Sequence, residues 1–178
     1  MLKPEVISTE SIYKGRIFEV SLDSIREDGT EYKREIISHN GSAVIVPVFA
    51  NETVALVKQY RHAAGKYLWE IPAGSLEKGE DAKEGAAREL EEEIGVTAKN
   101  IEKLSEFYVS PGFLSEKMFV FMATDLTETA QNLEDDELIE VKRFTFAEAF
   151  EMIRSNEIED AKTIVGLILA ANRFGFNI

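Results

Sequence analysis

A mixed α/β fold is predicted for this chain. Strand-like segments fill roughly its first third, a charged helical pattern opens near residue 81, and strand and helix patterns alternate from there to the end. The 178 residues suit one compact domain with a small appendage, and 44% apolar with 10% aromatic residues supply a sizeable core. Phe18, Val20 and Leu22 share one face of an alternating stretch. Asp28-Gly29 reads as a hairpin turn into a return strand at 31–37, and Asn40-Gly41 marks the next turn. These turns set off an N-terminal antiparallel β-unit, residues 1–41, from a larger domain at 42–178. The β-rich runs 43–49 and 54–61, separated by Asn51-Glu52, predict another hairpin. Asp81 with Glu84 three residues later predicts a capping box, Leu90 and Ile94 a packed face, and Gly95 the stop of a helix. Strands are expected at 101–109, 117–124 and 138–145, and helices at 146–155 and 161–173.

Charge narrows the function classes. Twenty Lys plus Arg stand against 33 Asp plus Glu, a net charge of −13 with a pI near 4.7. A field of that sign repels a nucleic-acid backbone or an anionic membrane, so neither partner is expected. The longest apolar runs, 43–50 and 164–171, have eight residues each, against roughly 18 for a membrane span. With no cysteine there is no disulfide, thiolate zinc site or cysteine nucleophile. No secretory pattern opens the chain, and a soluble, cytoplasmic protein is expected.

The chemistry concentrates between Gly74 and Val96. Glu89, Glu92 and Glu93 stand at i, i+3 and i+4, so one helix face carries three carboxylates while Leu90 and Ile94 point to the packed side. Such like charges repel one another and ask for compensation. Arg88, four residues before Glu92, supplies part of it. An oxygen-only donor set suits Mg²⁺ or Mn²⁺, and Mg²⁺ is commonly shared between carboxylates and substrate phosphates. An acidic helix face ordinarily just meets solvent, but the flanking residues reverse that reading.

Gly74, five residues, Glu80, seven residues, Arg88-Glu89-Leu90, one residue, Glu92-Glu93, one residue and Gly95-Val96 resemble the Nudix box at every fixed position. Gln59-Tyr60-Arg61, Trp69-Glu70-Ile71-Pro72-Ala73-Gly74 and Ser110-Pro111-Gly112 resemble the branch of the Nudix hydrolases that cleaves ADP-ribose and related nucleotide sugars. Pro111, fifteen residues after Val96, matches that branch's spacing. The resemblance implies an α/β/α sandwich with a mixed sheet and Mg²⁺- or Mn²⁺-dependent pyrophosphate hydrolysis of a nucleotide sugar. It also implies a homodimer exchanging contacts through residues 1–41.

It further implies roles for particular residues. Glu89 and Glu93 would be the principal metal ligands, Glu92 a further or water-bridged ligand, and the Ala73 carbonyl a backbone ligand. Arg88 would orient these acids or touch substrate, and Glu80 would serve the helix start or the metal site. The attacking water is expected to be activated by a loop acid. Glu137 is favoured as base or additional ligand and Glu116 comes next; Asp135, paired with Glu137, departs from the usual Glu. Period-2 geometry puts Val57, Gln59 and Arg61 on one face, from which a guanidinium grips phosphate, or else forms a surface ion pair. Glu70 contacts substrate or braces the loop before the box. Tyr13, Arg16 and Phe18 resemble the region that stacks the nucleobase with help from the partner subunit, with a core role for Phe18 equally open. Competing readings are a GDP-mannose or other nucleoside diphosphate sugar hydrolase, a noncatalytic nucleotide-sugar sensor, and an acidic domain that binds a protein. Ser75-x-x-Lys78 has serine-lysine nucleophile spacing but lies inside the better-explained box.

Overall fold

Two-residue turns and runs buried on both faces organise the chain differently in its two parts. The computed structural model describes residues 3–133 and 138–176. Met1–Gly41 with Phe107–Met118 make one compact unit, and Ser42–Glu106 with Phe119–Ile178 make the other.

In the first unit, β1 (Glu5–Lys14), β2 (Phe18–Glu27) and β3 (Thr30–His39) form an antiparallel sheet in that order. Asp28 at φ 47° and Gly29 at φ 82° make the tight turn closed by the Glu27–Thr30 pair, the twist-matched hairpin that Asp-Gly encodes. Ile37 donates its N–H to the Phe113 carbonyl at 2.7 Å and accepts from Ser115 at 2.9 Å, tying segment 107–118 to β3. Every residue of β1 is exposed, Val6, Ile12 and Tyr13 included.

The second unit comprises β4 (Ser42–Pro47), β5 (Thr53–Arg61), β6 (Lys66–Glu70), β7 (Ala73–Ser75), α1 (Ala82–Ile94), most of β8 (Val96–Tyr108) and β9 (Lys117–Glu128), β10 (Glu140–Thr145), α2 (Phe146–Arg154) and α3 (Ala161–Arg173). Its sheets run β7-β4-β9-β8 and β10-β5-β6. β4 is buried throughout, and its alternation splits it between two layers. Ala43 and Ile45 join Leu90 and Ile94 of α1 in one core cluster, whereas Val46 meets Gly166 of α3, where an added methyl would lie 3.1 Å from its Cγ2. One helix therefore covers each face, which is the α/β/α arrangement. α2 packs on β10 and α3.

Runs 43–49 and 54–61 do not form the expected hairpin. Both edges of β4 are taken, by β7 and β9, so β5 pairs instead with β10 and β6; among the described residues the two runs pair as strands only at the Val48–Val54 bridge, while Ala43, Ile45, Ala55 and Val57 share one core cluster. The short strands β6 and β7 carry no alternation long enough to read from sequence. α1 begins as expected, with the Asp81 carboxylate accepting from the Lys83 and Glu84 N–H groups. The full reciprocal capping box, however, is at α2, between Thr145 and Glu148. β8 starts directly at Val96, because Gly95 in the left-handed conformation (φ 64°) turns the chain straight from helix into strand.

Candidate active site

Four successive residues before α1 are held by three elements, α3, β4 and α1 itself. The Ile71 N–H donates to Thr163 Oγ1 of α3 at 2.9 Å, and the Pro72 carbonyl accepts from Ile45 of β4 at 3.0 Å. The Ala73 N–H donates to Glu93 Oε2 at 3.2 Å, and Gly74 lies so close to Glu89 that an added Cβ would fall 1.9 Å from its Oε1. Only glycine admits a carboxylate there. Glu89 and Glu93 are 7% and 3% exposed, and both carboxylates converge on the Ala73-Gly74 backbone.

Arg88 organises the acids around it. Its Nη1 donates to Glu89 Oε1 at 2.7 Å and to Glu92 Oε2 at 2.8 Å, while Nε and Nη2 reach the two oxygens of Glu80 at 3.1 and 3.4 Å. Burial disfavours the guanidinium's charge, but the hydrogen bond with Glu80, the field of Glu89 and the hydrogen bonds with Glu92 and Glu89 outweigh it and raise its affinity for the proton. The same hydrogen bond, joined by one from the Glu77 N–H, holds Glu80 below the usual carboxylate range. Glu80 is thus tied to Arg88 and to the turn before α1.

Residues 39–165 match the family model of the NUDIX domain. The chain belongs to the Nudix family. It is 39% identical to an ADP-ribose pyrophosphatase of Bacillus subtilis, over 91% of this chain and 89% of that protein. It is 36% identical to a methanol dehydrogenase activator of Bacillus methanolicus, over 94% and 92%. A crystal structure of an ADP compounds hydrolase superposes with a TM-score of 0.88 over 98% of this chain and 96% of that one, at 23% identity, which establishes the shared fold.

The C-terminal end of the Nudix helix α1 is capped from a distant segment. Gln131 Nε2 donates to the Glu93 carbonyl at 2.6 Å, the Asn132 N–H donates to the Glu92 carbonyl at 3.0 Å, and the Thr129 N–H donates to the Gly95 carbonyl at 2.7 Å. These bonds satisfy carbonyls that a helix leaves open at its end. They also fix residues 129–132 beside the Nudix box, immediately ahead of the acidic run. Glu137 and Asp135 lie in that run, outside the described residues.

Arg61 and Glu70 pair with each other. Arg61 Nε and Nη2 each meet a different Glu70 oxygen at 2.7 Å, Glu70 is 1% exposed, and the Lys162 ammonium also binds Glu70 Oε2. Lys162 makes a second ion pair with Asp160 Oδ1 at 3.0 Å, and Asp160 caps α3 by accepting from the Thr163 N–H and hydroxyl. Burial pushes the Glu70 proton affinity up, but the hydrogen bond from Arg61 and the charge of Lys162 more than reverse this and leave it below the usual carboxylate range. Asp160, Lys162, Thr163 and Gln131 are absent from the sequence-derived site. The usable signals were an Asp three residues before a Thr at a helix start and a lysine inside an otherwise apolar helix face.

The remaining candidates lie in the first unit. Tyr13 and Phe18 are 55% and 42% exposed with ring centroids 5.9 Å apart, Tyr13 lies over Gly15, and Arg16 is exposed. A cavity of about 210 Å³ is lined by Lys14, Phe18, Ser38 and His39 among others. Pro111 is exposed. Glu116, 17% exposed at its side chain, is 4.0 Å from His39 Nδ1, which accepts the Gly41 N–H at 3.0 Å.

Proposed function

We propose that this chain is a metal-dependent pyrophosphohydrolase that cleaves ADP-ribose, or a closely related nucleoside diphosphate sugar, with water to give a nucleoside monophosphate and a sugar phosphate. One observation carries the reading: two nearly buried carboxylates, Glu89 and Glu93, are fixed on the backbone of Ala73 and Gly74 within a complete Nudix box. The name of the Bacillus subtilis relative supports ADP-ribose as the first substrate to try.

The donor set fits a hard divalent cation. Its atoms are carboxylate and carbonyl oxygens, and the absence of a side chain at Gly74 lets the Glu89 carboxylate lie against the Ala73-Gly74 backbone. Among the described residues no three acids are gathered closely enough to hold a metal as they stand, and Arg88 Nη1 bridges Glu89 and Glu92. Arg88 brings one positive charge to three acids, Glu80, Glu89 and Glu92, so this group keeps a negative charge that favours a cation. Glu89, Glu93, Glu92 and the Ala73 carbonyl would hold Mg²⁺, or Mn²⁺ in its place. When bound, the ion supplies charge neutralisation at the diphosphate and a more acidic water.

The chain's own groups do the rest. Arg88 orients Glu89 and Glu92, Arg61 presents N–H donors to diphosphate oxygens, and Glu70 braces Arg61 and the loop before the box. Tyr13, Arg16 and Phe18 offer an exposed aromatic and cationic surface for the nucleobase, and Pro111 shapes the Ser110-Pro111-Gly112 loop on the substrate side. Glu137 takes the proton of the attacking water, with Glu116 as the other candidate; this assignment rests on the sequence. The exposed apolar residues of β1 and β2 support a homodimer built through the 1–41 unit, and the acidic, cysteine-free composition supports a cytoplasmic setting.

Purified protein with ADP-ribose and Mg²⁺ should release AMP and ribose 5-phosphate, and Glu93→Gln should lose at least about a hundredfold in rate. A panel of ADP-, GDP-, UDP- and CDP-sugars ranks the base and sugar, since the hydrolytic groups address the diphosphate they share. Absence of cleavage across the panel overturns the proposal. Tight metal-dependent binding without turnover would mark a sensor instead.

A further inference from the structure

Arg61 reaches the diphosphate, in the reading above, with a guanidinium already engaged along one edge. Glu70 takes Nε–H and one Nη2–H, which leaves three of the five guanidinium N–H groups facing away from the pair, on a side chain 38% exposed. That geometry aims Arg61 but creates an electrostatic problem. A guanidinium bound to a single carboxylate is a neutral pair and attracts an anion weakly. Glu70, 1% exposed, has no solvent to spread its charge.

The geometry points to Lys162 as the residue that resolves this: a positioning residue at the start of α3, it supplies the countercharge for Glu70 and so leaves the charge of Arg61 available to the diphosphate. This inference deepens the proposed hydrolysis and rests on it. Lys162 is 9% exposed and its ammonium binds Glu70 Oε2, the oxygen that also receives Arg61 Nη2. Its other partner, Asp160, is already served by the N-terminus of α3, through the Thr163 N–H at 2.9 Å and hydroxyl at 2.6 Å. The helix dipole absorbs part of the Asp160 charge. Lys162 is therefore the principal cation left to offset Glu70. The same helix turn holds the loop, since Thr163 Oγ1 accepts the Ile71 N–H, so a single turn of α3 sets both the charge at Arg61 and the path of the chain into the Nudix box. Lys162 itself contacts neither the box acids nor, at 9% exposure, the solvent from which substrate arrives.

The test separates charge from packing. Lys162→Gln keeps a hydrogen-bond donor for Glu70 and removes the charge, whereas Lys162→Arg keeps the charge. Binding of a nonhydrolysable ADP-ribose analogue with a methylene-bridged diphosphate is measured by calorimetry with Mg²⁺ present, alongside KM and kcat on ADP-ribose and a thermal melt confirming that each variant is folded. Lys162→Gln should weaken binding and raise KM about tenfold with kcat within about threefold, Lys162→Arg should restore both, and in an Arg61→Gln background Lys162→Gln should add less than about twofold. Unchanged affinity in folded Lys162→Gln, or an equal tenfold loss without Arg61, overturns the inference while wild-type turnover leaves the proposed function standing. If Lys162→Gln does not fold, an Lys162→Arg protein that folds but binds about tenfold more weakly overturns it, and one that binds like wild type supports it. Wild-type protein that neither binds the analogue nor cleaves ADP-ribose overturns both.

Discussion

A methyl group added at Gly74 would lie 1.9 Å from Glu89 Oε1 and 2.2 Å from its carboxyl carbon. Real side-chain contacts stop near 3.0 Å, so in Gly74→Ala the carboxylate retreats by roughly 1 Å. The retreat breaks the 2.7 Å hydrogen bond from Arg88 Nη1, whose side chain is 34% exposed. Because the displaced group is the end of a flexible side chain and the broken pair is partly screened, the stability cost is about 1 kcal/mol. For a chain of this length that lowers Tm by about 2–4 °C. Catalysis should suffer far more, since a ligand misplaced by about 1 Å costs on the order of a hundredfold. The assay is kcat/KM on ADP-ribose across a Mg²⁺ titration, beside a calorimetric melt. A near-native melt with about a hundredfold loss of kcat/KM is expected. Wild-type activity at saturating Mg²⁺ would refute the argument that Glu89 must sit against a bare backbone, and a collapse of the melt would show that Gly74 serves the fold rather than the site.

Gly95→Ala should be the structural counterpart. It forces a side chain into φ 64° and places its Cβ 2.9 Å from the Gln131 backbone nitrogen, so urea denaturation should register a loss of about 2 kcal/mol or more. Glu70→Gln should be less stable than wild type by about 3 kcal/mol at pH 7, because it strips a buried carboxylate from two cations. The folded-state proton affinity of Glu70 is lowered, so its contribution is complete above its ordinary value of 4.5 and is lost as pH falls through the lower folded value. Melts of the two proteins should therefore converge below pH 4.5, and a constant gap would contradict the pairing. Glu137→Gln should abolish turnover while Glu116→Gln retains most of it. The opposite order in steady-state assays would move the base to the segment after Pro111.

Much of this protein is written locally. Asp28-Gly29 specifies its turn because positive φ is cheap at those residues, Asp81 and Gly95 bracket α1 because they answer the open N–H and C=O groups of its ends, and the box spacing places Glu89, Glu92 and Glu93 on one face because a helix repeats every 3.6 residues. Those features depend on neighbours in sequence, and they are enough to identify the family and to list its acids.

What only the tertiary structure decided depends on residues far apart in the chain. A buried run such as β4 does not state which strands flank it, and 43–49 and 54–61 separate into two sheets because β7 and β9 occupy both edges of β4. The sequence likewise offers no period linking Arg61 and Glu70 to Lys162, or Glu93 to Gln131, across separations that local pattern does not span. Burying Glu70 requires two cations, and closing the end of α1 requires donors; the folded chain draws them from α3 and from the 129–132 segment because desolvated charges and open carbonyls are costly until something pairs with them.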